Sequence, residues 1–194
     1  MRRDPVLARL MKQYGPCGIR TGRETDIFCG LLEAIVSQQL STRAAATIYG
    51  RVRALIPDGG DPTPEALLPL SDEALRGAGL SRQKTGYMRD LSRKVLDGSV
   101  DVSGLSAMGD EQIVGELTKI KGIGRWTVEM LLIFRLTRPD VLPVGDLGIV
   151  KAIQKAYGLR KAPDAARMLK LGESWRPYRS VASWYLWASL ENKK

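Results

Sequence analysis

The stretch "KIKGIGRWTVEM", residues 119–130, decides how this chain is read. A helical pattern runs into it, "GDEQIVGELTKI", which sets Ile113, Val114, Leu117 and Ile120 on one stripe and places Asp110 and Glu111 favourably at the helix start. A second pattern leaves it, "RWTVEMLLIFRL", apolar on nearly every side and so expected to be a buried helix. Between the two, Gly122 and Gly124 permit a tight turn that Ile123 can anchor inward. A restarting helix offers unpaired backbone amides and the positive end of its dipole, and without a Cβ in the way a phosphate can approach them. The same turn serves equally as a plain link in an α-α hairpin, and the glycines by themselves leave both readings open.

Outward from the turn, the chain reads as short helices, with no sustained alternating apolar pattern of the kind a half-buried sheet requires. Phe28 to Gln39 carries Leu31, Leu32, Ile35 and Val36 on one face. "SQQLS" follows, and Ser41 then caps "STRAAATIYGRVRAL". Thr63 with Pro64, and then Ser71, mark the starts of two further short helices. "SRQKTGYMRDLSRKVLDG" is longer, basic on its exposed face, and ends at Gly98. Asp146 is the natural N-cap of "DLGIVKAIQKAYG", a short helix starts near Pro163, and "RPYRSVASWYLWASLE" forms the last. About ten helices are expected. The fold class is all-α.

Composition narrows the chemistry. The 194 residues, 44% of them hydrophobic, suit one compact domain or two small lobes sharing a cleft. Neither end resembles a signal peptide, and the strongest apolar run, Met130 to Phe134, is too short to span a bilayer. Cys17 and Cys29 are too few for a disulfide framework or a four-thiolate metal site, so a reduced cytoplasmic home is expected. The absence of histidine removes Ser-His triads, the usual zinc sites and imidazole acid-base chemistry, leaving carboxylates, Lys, Tyr or Cys. Thirty Lys and Arg against 21 Asp and Glu give a net charge of +9, which suits a polyanion such as nucleic acid.

Apolar helix, Ile-Lys-Gly-Ile-Gly, then helix resembles the helix-hairpin-helix element, in which a proline is more usual where Lys121 stands. Asp146, in "LPVGDLGIVKA", follows Trp126 by 20 residues. Hairpin plus downstream Asp resembles the helix-hairpin-helix-GPD superfamily of DNA glycosylases. "IVSQQLSTRAAATIYGRV", "AGLSRQKTGYMRDLS" and "WRPYRSVASWYLWASLE" narrow the likeness to its alkylpurine group, the 3-methyladenine DNA glycosylase II family. The resemblance runs from about residue 27 to the C-terminus. It implies two helical subdomains flanking a cleft, within a single glycosylase core over 1–194 that has no N-terminal β domain. The hairpin falls at about 110–137. The N- and C-terminal helices pair as one lobe, and about 37–136 form the other.

The resemblance also assigns roles. Asp146 is the catalytic carboxylate, a role compatible with capping a helix, since amides at a helix start favour a carboxylate's charged form. Trp126 lies at the base pocket, with Phe28, Tyr14 and Tyr185 as further candidates; Trp184 and Trp187, three residues apart on the last helix, read as core packing. Gln39 is the wedge that fills the gap left by a flipped nucleotide, supported by Gln38 and Leu40. Lys121, Gly122, Ile123, Gly124, Arg125 and Thr127 contact the DNA backbone. No cofactor is required and no iron-sulfur cluster is expected, although a monovalent cation at hairpin carbonyls is. The implied activity is monofunctional hydrolysis of the N-glycosidic bond of alkylated bases by a monomer acting on duplex DNA. A lysine stands at the position of Trp126 in the lyase-competent relatives. The alternatives are a bifunctional glycosylase/lyase and a catalytically silent helix-hairpin-helix binding module. A helix-turn-helix regulator ranks last, because "RWTVEMLLIF" is too apolar for a recognition helix.

Overall fold

A computed structural model of the chain describes residues 4–19 and 26–190. Among these residues every regular element is helical. In chain order the helices are α1 (Pro5–Tyr14), α2 (Ile27–Ser37), α3 (Thr42–Arg53), α4 (Pro64–Leu67), α5 (Asp72–Gly77), α6 (Arg82–Leu96), α7 (Asp110–Leu117), α8 (Arg125–Phe134), α9 (Leu147–Ala156), α10 (Ala165–Gly172) and α11 (Arg179–Ala188), with three short 3-10 turns between them. No helix among the described residues is long and apolar enough to cross a membrane.

Side-chain caps set most of the helix starts. Ser41, Thr63, Ser71 and Ser81 each accept an amide bond from the first turn of α3, α4, α5 and α6, and Asp146 and Asp164 do the same for α9 and α10. The end of α6 is followed by Gly98 at φ +73°. α2 stops at Ser37, so Gln38 and Gln39 leave the helix that the apolar pattern extends to them. The final residue of the expected last helix, Glu191, lies outside the described residues.

The chain divides into two compact units, Met1–Arg23 with Leu132–Lys194, and Glu24–Leu131. The second is built around α6, which packs against α2, α4 and α5. Its core includes Leu31, Leu32, Ile35 and Val36 of α2, Met88 and Leu91 of α6, and Ile113 and Leu117 of α7. α8 begins in this unit and ends in the other. It is less uniformly buried than its composition implies: Val128, Leu132 and Ile133 are buried, but Trp126 and Phe134, at its two ends, are 49% and 45% exposed.

In the first unit, α11 packs against α1 and α9 over a core of Leu7, Leu10, Ile149, Ile153, Met168, Trp175 and Leu186. A buried polar knot joins its two stretches of chain. Asp4 caps α1 through Oδ1, which accepts from the amides of Val6 and Leu7 at 2.9 and 3.1 Å. Its Oδ2 accepts from the Tyr157 hydroxyl at 2.6 Å and the Trp175 indole at 3.0 Å. Burial pushes the Asp4 carboxyl pKa up, but the bonds from Tyr157, Leu7, Trp175 and Val6 outweigh it, and the net shift is below the ordinary carboxylate value.

Candidate DNA-binding and glycosidic-bond site

α7 and α8 form the hairpin, and the two glycines between them do different work. Gly122 has φ +83°, and a Cβ there would stand 2.1 Å from Cδ2 of Tyr87, whose ring lies against the turn. Both facts require glycine for internal reasons. Gly124 has neither constraint: a Cβ would meet nothing within 4 Å, and the residue is exposed. Its carbonyl accepts the first bond of α8, from Val128 at 3.1 Å. The amides of Arg125, Trp126 and Thr127 therefore precede the helix's own ladder. Gly124 keeps the approach to these amides clear.

The other residues of the turn are placed as follows. Ile123 is buried, as an anchor should be, and its amide bonds to the carbonyl of Ile120. The Lys121 side chain is exposed, but its amide donates to Asp90 at 2.8 Å. Arg125 is not a loose cation. Its guanidinium forks onto Glu111 at 2.9 and 2.7 Å, tying the start of α8 to the start of α7. Thr127 is buried at 9% exposure, so its side chain packs within the first turn of α8 and only its amide is among those at the helix start.

Gln38 and Gln39 form a tight turn. Gln38 has φ −50° and ψ 128°, Gln39 has φ +58°, and the amide of Leu40 donates to the carbonyl of Ser37 at 3.1 Å. This is a type II turn in which Gln39 occupies the position that favours glycine. Gln39 and Leu40 project into solvent. Two side chains hold the turn. The Gln38 amide donates through Nε2 to the carbonyl of Gly122 at 2.7 Å. Lys84, from the first turn of α6, donates to the carbonyls of Val36 and Gln38 at 2.7 and 2.6 Å, and burial lowers its pKa. Further along the same face of α6, Asp90 takes the Lys121 amide, while Lys94 donates to Asp90 and to the carbonyl of Lys119. The sequence reading of α6 as a basic exposed face missed this stripe, although the spacing of Lys84, Tyr87, Asp90 and Lys94 is that of one helical face.

In the other unit, Asp146 sits at the start of α9, only 8% exposed. Its Oδ1 accepts two bonds, from the Ile149 amide at 2.7 Å and from Nε1 of Trp187 at 2.9 Å. Gly148 makes the arrangement possible: a Cβ there would stand 2.9 Å from Oδ1 and 3.2 Å from the Trp187 ring. Trp187 does more than the packing expected of it: its ring lies against the core of this unit and against Phe134, with centroids 5.6 Å apart, and its indole N–H orients the carboxylate. Trp184 fits the packing role, edge-on to Tyr185 at 4.9 Å and over Gly18.

The weaker pocket candidates are placed as follows. Phe28 and Tyr185 are each 3% exposed, Phe28 inside its unit and Tyr185 in the other unit's core with its hydroxyl on the carbonyl of Gly15 at 2.7 Å. Their burial gives them packing roles. Tyr14 ends α1 and accepts a bond from Gln13 at 3.2 Å. Among the described residues no group of three or more His, Cys, Asp or Glu is placed to hold a metal ion.

A helical fold with a glycine hairpin and, downstream, a buried aspartate capping a helix is what one superfamily of repair proteins has in common. The chain belongs to it: the model of the HhH-GPD superfamily of base excision DNA repair proteins matches residues 32–177. Within that superfamily the likeness is to the alkylpurine branch. DNA-3-methyladenine glycosylase 1 of Schizosaccharomyces pombe is 36% identical over 182 residues, covering 93% of this chain and 79% of the relative. Among solved structures, the 3-methyladenine DNA glycosylase of that yeast in complex with abasic DNA superposes with a TM-score of 0.83 at 35% identity, covering 96% of this chain and 91% of that one. A DNA-3-methyladenine glycosidase from Bacillus halodurans gives 0.86 at 38% identity, covering 98% and 86%.

Proposed function

We propose that this chain hydrolyses the N-glycosidic bond of alkylated bases in duplex DNA, releasing the free base and leaving an abasic site in an intact strand. One observation carries the reading above all: the buried carboxylate of Asp146, oriented through Oδ1 by an amide and an indole N–H, in a chain of this superfamily.

The mechanism follows from the chemistry of the bond. The target nucleotide must leave the stack before its sugar can be reached. Exposed Gln39 and Leu40, at the apex of the turn held by Gln38, are suited to fill the space it vacates. An N3- or N7-alkylated purine carries positive charge, so it departs with the bonding electrons as a neutral base and leaves an oxocarbenium-like cation at C1′. The Asp146 carboxylate opposes that charge. Water then adds to C1′ and loses a proton, which the Asp146 carboxylate accepts on this reading. This order needs no strong general acid, in keeping with a chain that has no histidine. The half-exposed face of Trp126 suits a cationic base, an interaction worth about 0.5 to 2 kcal/mol.

The amides at the start of α8 beside Gly124, with Lys121, suit the DNA backbone, and the enzyme acts as a monomer. The monovalent cation expected from the resemblance would be held by backbone carbonyls of the turn. Those of Lys119, Ile120 and Gly122 already accept protein donors, and no chemical step passes through the ion. Strand cleavage is not part of the reaction, because Trp126 stands where a lyase carries its lysine, and the nearby Lys119 ammonium is paired with Glu116.

The test is release of free base from methylated duplex DNA by the wild type and by Asp146→Asn. Asparagine still caps α9 but brings no charge, so folding and DNA binding are retained and release falls by about a hundredfold or more. The product strand stays whole until alkali is added, and borohydride traps no adduct. Near-wild-type release by the variant refutes the role of Asp146, and a trapped adduct refutes the monofunctional reaction.

A further inference from the structure

We propose that Lys84 is a positioning residue that fixes the Gln39 turn relative to the phosphate-facing hairpin, so that backbone contact and duplex opening are performed by one rigid body. The inference rests on the glycosylase reading above. On sequence, Lys84 belongs to a helix whose exposed face is basic. The structure turns its ammonium inward, onto the carbonyls of Val36 and Gln38 at 2.7 and 2.6 Å. The first belongs to the C-terminal turn of α2, where carbonyls lack helical partners and a cation is favourable. The second lies within the turn that presents Gln39.

That turn needs holding. Gln39 sits at φ +58°, a conformation in which a side chain with a Cβ is strained, and such strain persists only where the surroundings over-determine it. Lys84 supplies one constraint, on the carbonyl of Gln38. The other leaves the same residue: Nε2 of Gln38 donates to the carbonyl of Gly122, two residues before Gly124. The offset between the exposed glutamine and the hairpin amides is therefore set by the protein and not by the DNA. A duplex seated on the hairpin meets Gln39 at a fixed depth, and seating contributes directly to opening. Without the ammonium, the carbonyls at the end of α2 lose their donor, the turn relaxes toward ordinary backbone angles, and Gln39 loses its register while the hairpin still binds.

The experiment uses Lys84→Met, which keeps the aliphatic stem and removes the charge. Base release from a well-paired alkylated duplex is expected to fall roughly tenfold to a hundredfold. Release of the same lesion from a mismatched site, already partly open, changes little. Added to Gln39→Ala, the substitution has little further effect, because both remove the same function. The salt dependence of binding to undamaged duplex stays as in the wild type, whereas loss of a phosphate contact lowers the slope by about one. Equal losses on paired and mismatched targets, full multiplicativity with Gln39→Ala, or a lowered salt slope each overturn the proposal. If Lys84→Met does not fold, Gln38→Ala, which cuts the tie to Gly122 and leaves the ammonium in place, must show the same pattern. Fluorescence of a 2-aminopurine beside the target reads opening without chemistry. A wild type that opens the duplex but releases no base therefore sinks the glycosylase reading alone, and unimpaired opening by Lys84→Met sinks this one.

Discussion

At the scale of single residues, backbone geometry and side-chain chemistry are in conflict at Gln39. A type II turn asks for glycine at its third position, and the chain places a glutamine there with φ +58°. Glycine would relieve roughly 1 to 2 kcal/mol of steric strain, offset in part by the greater freedom of the unfolded chain. Gln39→Gly should therefore raise stability by up to about 1 kcal/mol, seen as an unchanged or slightly higher Tm, while base release from paired duplex falls because the wedge is gone. A lower Tm with undiminished release would show that Gln39 serves the fold. At Asp146 the two demands coincide. The bond from the Ile149 amide starts a helix and, together with the Trp187 indole, fixes the direction of the carboxylate.

At the scale of elements, the hairpin separates two glycines that look alike in the sequence. Gly122→Ala must accommodate a Cβ against the Tyr87 ring at positive φ, a cost of about 2 to 4 kcal/mol. Gly124→Ala meets nothing in the folded chain, so its stability should stay within about 1 kcal/mol of the wild type. Its affinity for damaged and undamaged duplex should fall by similar factors, because the new methyl group stands where the backbone approaches the amides. Thermal unfolding and duplex titration of the two variants check this together. A Gly124→Ala protein with wild-type affinity would show that α8 does not receive a phosphate at its start. The Arg125–Glu111 fork spans the same hairpin, and with its two side chains 53% and 77% exposed it contributes little to stability. What it supplies is a fixed hand-off from α7 to α8.

At the scale of the whole molecule, Asp4 joins parts of the chain that lie far apart, since its partners Tyr157 and Trp175 are 153 and 171 residues away. Its pKa is held below the ordinary carboxylate value of 3.8. A depressed folded-state pKa contributes stability that is complete above the unfolded value and is lost as pH falls through the folded one. Asp4→Asn should accordingly cost about 2 to 3 kcal/mol at neutral pH. The difference from the wild type should shrink on acidification below the unfolded carboxylate pKa. Denaturant melts at pH 7 and pH 3 read this directly. A gap that stays constant across that range would remove the Asp4 carboxylate as the source of the acid sensitivity.

The sequence by itself determined most of the elements and the class of chemistry. Helical periodicity, capping residues at Ser41, Thr63, Ser71 and Asp146, and the glycine turn are local signals, and the resemblance they carried led to the right superfamily. α1 escaped that reading although Asp4-Pro5, a cap followed by a favoured first helical residue, announces it. Only the tertiary structure decided what depends on residues distant in the chain. It put Trp187 on Asp146, Gln38 on Gly122, Lys84 on the end of α2, and the Tyr87 ring where a Cβ on Gly122 would stand. Periodicity states which face of a helix is apolar. It does not state which carbonyl a half-buried lysine such as Lys84 will find, because that bond is made only when two helices have already packed.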